Sequence, residues 1–140
     1  MIRVVLDTNV VVSSVLASGP PRAIFDLAIN DRFAWFFTES ILSEYARVLE
    51  YPRLKIKPAN VKRILSSIKA HGRIVGTSLK LTEASDGADN RFLECAQECK
   101  ANYLVTGNIR HFPKSWKFTK VVEPREFLNL WQLQNPLSPY

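Results

Sequence analysis

The strongest constraint on this chain lies in its first nine residues. Ile2-Arg3-Val4-Val5-Leu6 is a short apolar run, rich in β-branched side chains, that stops at Asp7-Thr8-Asn9. Such a run reads as a buried strand whose carboxyl end opens into an acid and two small polar residues. In open α/β sheets, ligands sit outside the carboxyl ends of the strands. A carboxylate at that place is costly to bury unless something pairs with it. The chain is therefore expected to be organised around Asp7, with other acids arriving beside it to hold a divalent metal.

Further along, Val10 to Ala17 reads as a short apolar helix ended by Ser18-Gly19-Pro20-Pro21, and Arg22 to Asn30 as a second helix. Phe33 to Phe37 is a compact aromatic strand. Its run is continuous rather than alternating, which points to core and not to base stacking. Thr38 caps a helix that runs to about Glu50 and stops at Tyr51-Pro52. Pro58 opens another, to about His71. Arg73 to Val75 is a short strand and residues 76–86 a loop. Ala88 to Lys100 is a helix, Asn102 to Gly107 a strand, Lys120 to Val122 a final strand and Glu126 to Leu133 a final helix. Strands alternating with helices predict an α/β fold with a mainly parallel sheet covered on both faces. Asp7 and Thr106-Gly107-Asn108 then arrive at one edge of that sheet. Residues 1–134 form one domain, and 135–140, with two prolines, a flexible tail.

Charge narrows the class of partner. The 140 residues carry a net charge of +6. A basic balance favours polyanions, nucleic acid first. A basic rim around an acidic centre is what an enzyme acting on phosphodiesters needs. Nothing approaches the ~18 consecutive apolar residues of a membrane span, and the start does not read as a signal peptide. A cytoplasmic protein is the expectation. Cys95 and Cys99 lie four apart in a helical pattern and read as packing residues. There is no phosphate loop, no Gly-x-Ser-x-Gly elbow and no zinc-type spacing.

Each acid has a plain structural role beside the functional one. Asp7 could cap the helix that follows it. Glu44 lies at the edge of an apolar stripe, and taken alone it reads first as a surface acid paired with Arg47, three residues on. Asp86 and Asp89 flank Gly87-Ala88 before a helix, where a cap and a first-turn acid are both favoured by the helix dipole. Asn108 fits a turn after Gly107, and His111 a surface or packing position.

Taken together, Asp7-Thr8-Asn9, Glu44 within a helix, the run Asp86-Gly87-Ala88-Asp89-Asn90-Arg91-Phe92-Leu93-Glu94-Cys95-Ala96, and Asn102-Tyr103-Leu104-Val105-Thr106-Gly107-Asn108 resemble the PIN-domain nucleases. The resemblance covers roughly residues 2–133. It is closest to the bacterial and archaeal toxin components of toxin–antitoxin pairs, the VapC-like proteins. It implies a three-layer α/β/α sandwich, dependence on Mg²⁺ or Mn²⁺, and ribonuclease activity. Asp7, Glu44 and Asp89 match the family's first three acidic positions and are implied as catalytic residues and metal ligands. The fourth position, often Asp, is Asn108 here, which removes one charge from any second metal site.

Hard oxygen ligands suit such cations. Three close carboxylates repel one another, and a dication relieves the repulsion. Asn9, Thr106, Asn108 and Asp86 are expected in a supporting shell. Arg91, Arg110 and Lys114 are candidates to hold flanking RNA phosphates. The resemblance also implies a homodimer inhibited by a cognate antitoxin, and Trp116, Phe118 and Trp131 are candidate interface aromatics. Two alternatives compete. One is a non-catalytic RNA- or partner-binding protein of the same fold, motivated by Asn108. The other is a phosphatase with an Asp nucleophile, disfavoured because Asn9 stands where the general acid is needed.

Overall fold

The structure, a computed structural model, describes residues 1–84 and 86–138. Ser85, in the loop expected over 76–86, and Pro139 and Tyr140, in the expected tail, lie outside the described residues. Strand β1 (Arg3–Leu6) leads into helices α1 (Thr8–Leu16) and α2 (Pro20–Ile29), then strand β2 (Ala34–Phe37). Helices α3 (Glu39–Leu49) and α4 (Pro58–His71) follow, joined through a 3-10 turn at Pro52–Leu54. Next come the short strand β3 (Arg73–Ile74), helix α5 (Gly87–Cys99) and strand β4 (Tyr103–Val105). After a 3-10 turn at Ile109–His111, strands β5 (Ser115–Trp116) and β6 (Thr119–Val122) form a hairpin, and α6 (Pro124–Gln134) closes the order.

The sheet runs β3-β2-β1-β4-β6-β5, with every pairing parallel except β5 on β6. Its flanking helices complete the expected three-layer α/β architecture. The chain steps from β1 through β2 to β3 in one direction, then returns across the sheet to β4 and β6. Right-handed crossovers therefore place the helices before β3 on one face and α5 on the other. Helix α5 packs along β1, β2 and β4, while α3 rests on β2 and against α1. The strand order reverses between β1 and β4, so a crevice opens beyond their carboxyl ends.

Local chemistry explains the boundaries. Helix α1 starts at Thr8, two residues earlier than the apolar pattern suggested, because the Asp7 carboxylate accepts the Thr8 amide as its N-cap. Pro20 and Pro21 open α2 instead of separating two helices; a proline at the first helical position sacrifices an amide that has no intrahelical partner. Strand β5 escaped the sequence reading because two residues carry no periodicity. Phe33, Trp35 and Phe37 are buried as their continuous run implied, with Trp35 and Phe37 edge to face at 5.6 Å. At the α4–β3 joint, a Cβ on Gly72 would stand 2.0 Å from the Phe37 ring, so only glycine fits. Among the candidate interface aromatics, Trp131 is buried, Trp116 is half-buried and donates to Gln97, and Phe118 is exposed. In the segment after α6, the Ser138 hydroxyl meets the Arg32 guanidinium at 3.1 Å. No helix among the described residues is long and apolar enough to cross a membrane.

Candidate active site

Asp7 sits where β1 ends, at the point of reversal. Its backbone amide donates to Val105 O at 2.9 Å, continuing the β1–β4 ladder into the crevice. One carboxylate oxygen accepts the Thr8 amide at 2.7 Å. The other accepts the Thr106 hydroxyl at 2.7 Å and the Asn9 side-chain amide at 3.1 Å. Asn9 turns its carbonyl oxygen to the Gly107 amide at 3.0 Å, and Thr106 Oγ1 accepts the Asn108 amide at 2.9 Å. Two strand ends are thus tied through short polar side chains. Asn9 and Thr106 both hydrogen-bond the Asp7 carboxylate.

Glu44 approaches from α3. Thr8 donates its hydroxyl to one Glu44 oxygen. Arg47 stands 3.8 Å from the other, so the surface pair and the inward role coexist. The next residue, Tyr45, is fully buried and donates its hydroxyl to Leu6 O, directly before Asp7. This bond pins α3 to the end of β1 and fixes the approach of Glu44. From the sequence Tyr45 was legible only as part of the apolar stripe.

Asp89 lies in the first turn of α5, capped by Asp86, whose carboxylate accepts the Ala88 amide. Asp86 is exposed and serves as the cap. The Asp89 side chain is 14 % exposed, and its Oδ2 is buried with no hydrogen-bond partner. His111 Nδ1 is 3.5 Å away, too far for a hydrogen bond but close enough for a charge to be felt. Asn108 is exposed and opens the 3-10 turn that carries His111. Asn9 and Asn108 both line a cleft of about 230 Å³.

Electrostatics join these acids. Burial pushes the Asp7 carboxyl up to about 6, and the charges of Asp89 and Glu44 push the same way, against the Thr106 and Thr8 hydrogen bonds. Asp89 is raised by burial, then by Asp86 and Glu44, with His111 opposing. Glu44 and Asp89 are close enough to disfavour the charge on Asp7, and Glu44 does the same to Asp89. As placed, however, no three acids, histidines or cysteines among the described residues close into a set that could grip one ion. The donors nonetheless fit a hard dication. They are all carboxylate oxygens, the buried Asp89 Oδ2 has His111 no nearer than 3.5 Å, and their mutual repulsion is what a cation removes.

The candidate RNA contacts divide. Arg110 and Lys114 are exposed after β4. Arg91 turns to Glu94, with Nη2 at 2.5 Å from its Oε2. That buried glutamate also accepts the Leu81 amide at 2.9 Å. Cys95 and Cys99 are buried free thiols, in keeping with a packing role.

A family model described as PIN domain matches residues 3–110, from β1 through the turn after β4, and so includes every acid discussed above. Uncharacterized protein MJ1680 of Methanocaldococcus jannaschii is 31% identical over 140 aligned residues, covering 91% of this chain and 90% of the relative.

Proposed function

The chain belongs to the PIN domain family, whose members are generally nucleases, and from that premise we propose that it is a metal-dependent ribonuclease. The observation that carries this reading is Asp7. It is a carboxylate 5% exposed, at the reversal point of the sheet, facing two further acids instead of a cation. Capping α1 needs the Asp7 carboxylate but not two further acids beside it, and clustered acids with raised pKa concentrate at functional sites.

In this reading Asp7, Glu44 and Asp89 hold Mg²⁺ or Mn²⁺. When bound, such an ion neutralises the clustered carboxylates, supplies an activated water and polarises the phosphodiester. The chain's own residues do the rest. Thr106 and Asn9 fix the Asp7 carboxylate in one orientation, and Tyr45 holds the helix that presents Glu44. Asp86 caps α5 so that Asp89 enters from its first turn. Arg110 and Lys114 offer charge to flanking phosphates, while Arg91 supports α5 through Glu94. Supporting groups of this kind alter metal affinity or activity by roughly 10–100-fold.

The finer proposal is a toxin of a toxin–antitoxin pair, cytoplasmic, homodimeric and restrained by a cognate antitoxin. The order and spacing of the acid motifs support it, and exposed Phe118 offers an apolar contact. Purified protein should cleave labelled single-stranded RNA with Mg²⁺ or Mn²⁺ and stop on addition of EDTA. Cleavage undiminished by EDTA would remove the metal mechanism. Induced expression that leaves growth unaffected, from protein active in vitro, would remove the toxin role alone.

A further inference from the structure

The acid cluster is connected to the surface by a chain of contacts running outward along α3. Glu44 meets Arg47 at 3.8 Å. Arg47 Nη1 donates to the Tyr51 hydroxyl at 2.9 Å. The Arg53 guanidinium lies over the Tyr51 ring, 5.3 Å from its centroid. Arg47 and Arg53 are exposed, and Tyr51 is half-exposed. Beyond them the segment 51–63, YPRLKIKPANVKR, has five basic residues in thirteen and no acid. None of those five basic side chains forms an ion pair among the described residues. Beside this segment a groove of about 500 Å³ is lined in part by Ile56 and Lys62.

From this we propose that Arg47, Tyr51 and Arg53, continued by Lys55 and Lys57, form a track for single-stranded RNA leading from the acid cluster. It rests on the ribonuclease reading for its substrate. Unpaired cations in a segment without acids attract a polyanion. An aromatic ring with a guanidinium stacked on it offers a flat platform to an unstacked base. A duplex hides its base faces, so the platform selects a single strand. Arg47 has a double role: it pairs with Glu44 at the acid cluster and orients Tyr51 through the hydroxyl. Tyr51 stands two residues past the end of α3 and is linked to Glu44 through Arg47. The base it holds therefore belongs to a nucleotide near the one cut. The continuous aromatic strand Phe33–Phe37 takes no part, being buried.

The test is binding without cleavage. Labelled single-stranded RNA, a duplex of the same sequence and an acidic poly-glutamate peptide are titrated by fluorescence anisotropy in EDTA. Tyr51→Ala should weaken single-strand binding about tenfold, and Tyr51→Phe, which keeps the ring, by less than about threefold. Arg53→Gln and Lys57→Gln should each lower the slope of log affinity against log salt by about one. Circular dichroism melts confirm that each variant is folded. Wild-type affinity in all four variants would overturn the track. Equal binding of duplex and single strand, both insensitive to Tyr51→Ala, would overturn the stacking platform. Binding of poly-glutamate in place of RNA, weakened by the same substitutions, would assign the strip to an acidic protein and overturn the proposal. A wild type that binds RNA through the track but never cuts it removes the ribonuclease reading and leaves the track intact. One that cuts RNA equally well in every strip variant, with unchanged affinity, removes only the track.

Discussion

Two buried carboxylates, one at the end of β1 and one within α5, behave in opposite ways. Asp7 is 5% exposed and Glu94 is 3% exposed, so burial does not distinguish them. Their company does. Glu94 faces the Arg91 guanidinium at 2.5 Å and the Leu81 amide at 2.9 Å, a cation and a donor that satisfy its charge. Asp7 receives three hydrogen bonds but no cation, and its charged neighbours are Asp89 and Glu44. One carboxylate fastens α5 to the loop before it. The other holds unrelieved negative charge at the edge of the sheet. The number of polar contacts is similar; the sign of the surrounding charge separates a structural acid from a chemical one.

Substitution should break the two sites in different currencies. Asp7→Asn keeps the shape and the Thr8 cap but removes the charge, and should lower RNA cleavage by more than about a hundredfold, since even residues behind the ligands cost 10–100-fold. Glu94→Gln should leave cleavage by the folded protein within about threefold. It should instead lower stability by about 2 kcal/mol, measured by denaturant or thermal unfolding. Breaking a buried pair costs more, about 3–5 kcal/mol, but Arg91 is 35% exposed and can still reach water. Glu94→Gln with unchanged stability and abolished cleavage would reverse the assignments.

The comparison sharpens with pH. Asp7 has its folded pKa raised from 3.8 to about 6. Between those values the folded state binds more protons than the unfolded one, so stability falls as pH rises. The favourable contribution is complete below about pH 4 and lost through about pH 6. A shift of roughly two units corresponds to at most about 3 kcal/mol. In EDTA, wild type should lose more melting temperature than Asp7→Asn between pH 4 and 7.5. Mn²⁺ added at pH 7.5 should restore wild type and leave Asp7→Asn unmoved. Parallel pH profiles of the two proteins would show that Asp7 is not held against its charge.

The contrast also explains what the sequence could and could not disclose. The parallel sheet was legible because apolar runs at Val4–Leu6, Phe33–Phe37 and Leu104–Val105 alternate with helical patterns, whereas the strand order that reverses between β1 and β4 was not. Asp7 was legible because its strand ends there. Tyr45 was not. A tyrosine in an apolar stripe looks like packing until its hydroxyl finds Leu6 O across the fold. Arg91 stood in the motif as a possible phosphate contact, yet it faces Glu94, three residues on, where an i,i+3 pair on one helix face is the simpler outcome. His111 is brought to Asp89 by the turn after β4, and turn geometry leaves little periodic trace. Residue identity named the acids, but the contacts that orient them depend on chain segments far apart in sequence.

Asn108 gives the smallest expected effect, and the most specific one. Three carboxylates leave one negative charge beside a single dication and one positive charge beside two. A second ion should therefore bind weakly until a phosphate adds oxygen ligands and negative charge. Asn108→Asp supplies a fourth acid at the same place. For unit charges about 4 Å apart the attraction is roughly 4 kcal/mol at an effective dielectric near 20 and about 1 kcal/mol in water, and a dication doubles both. Asn108 is exposed, and the added charge also meets acids already repelling one another. Exposure and that repulsion should hold the gain to about half the aqueous value for a dication, about fivefold in Mn²⁺ affinity without RNA, read by calorimetry. It should shrink when RNA is present, because the phosphate then supplies what the aspartate adds. Two tightly bound ions in RNA-free wild type would break the charge balance on which the contrast between the two buried acids depends.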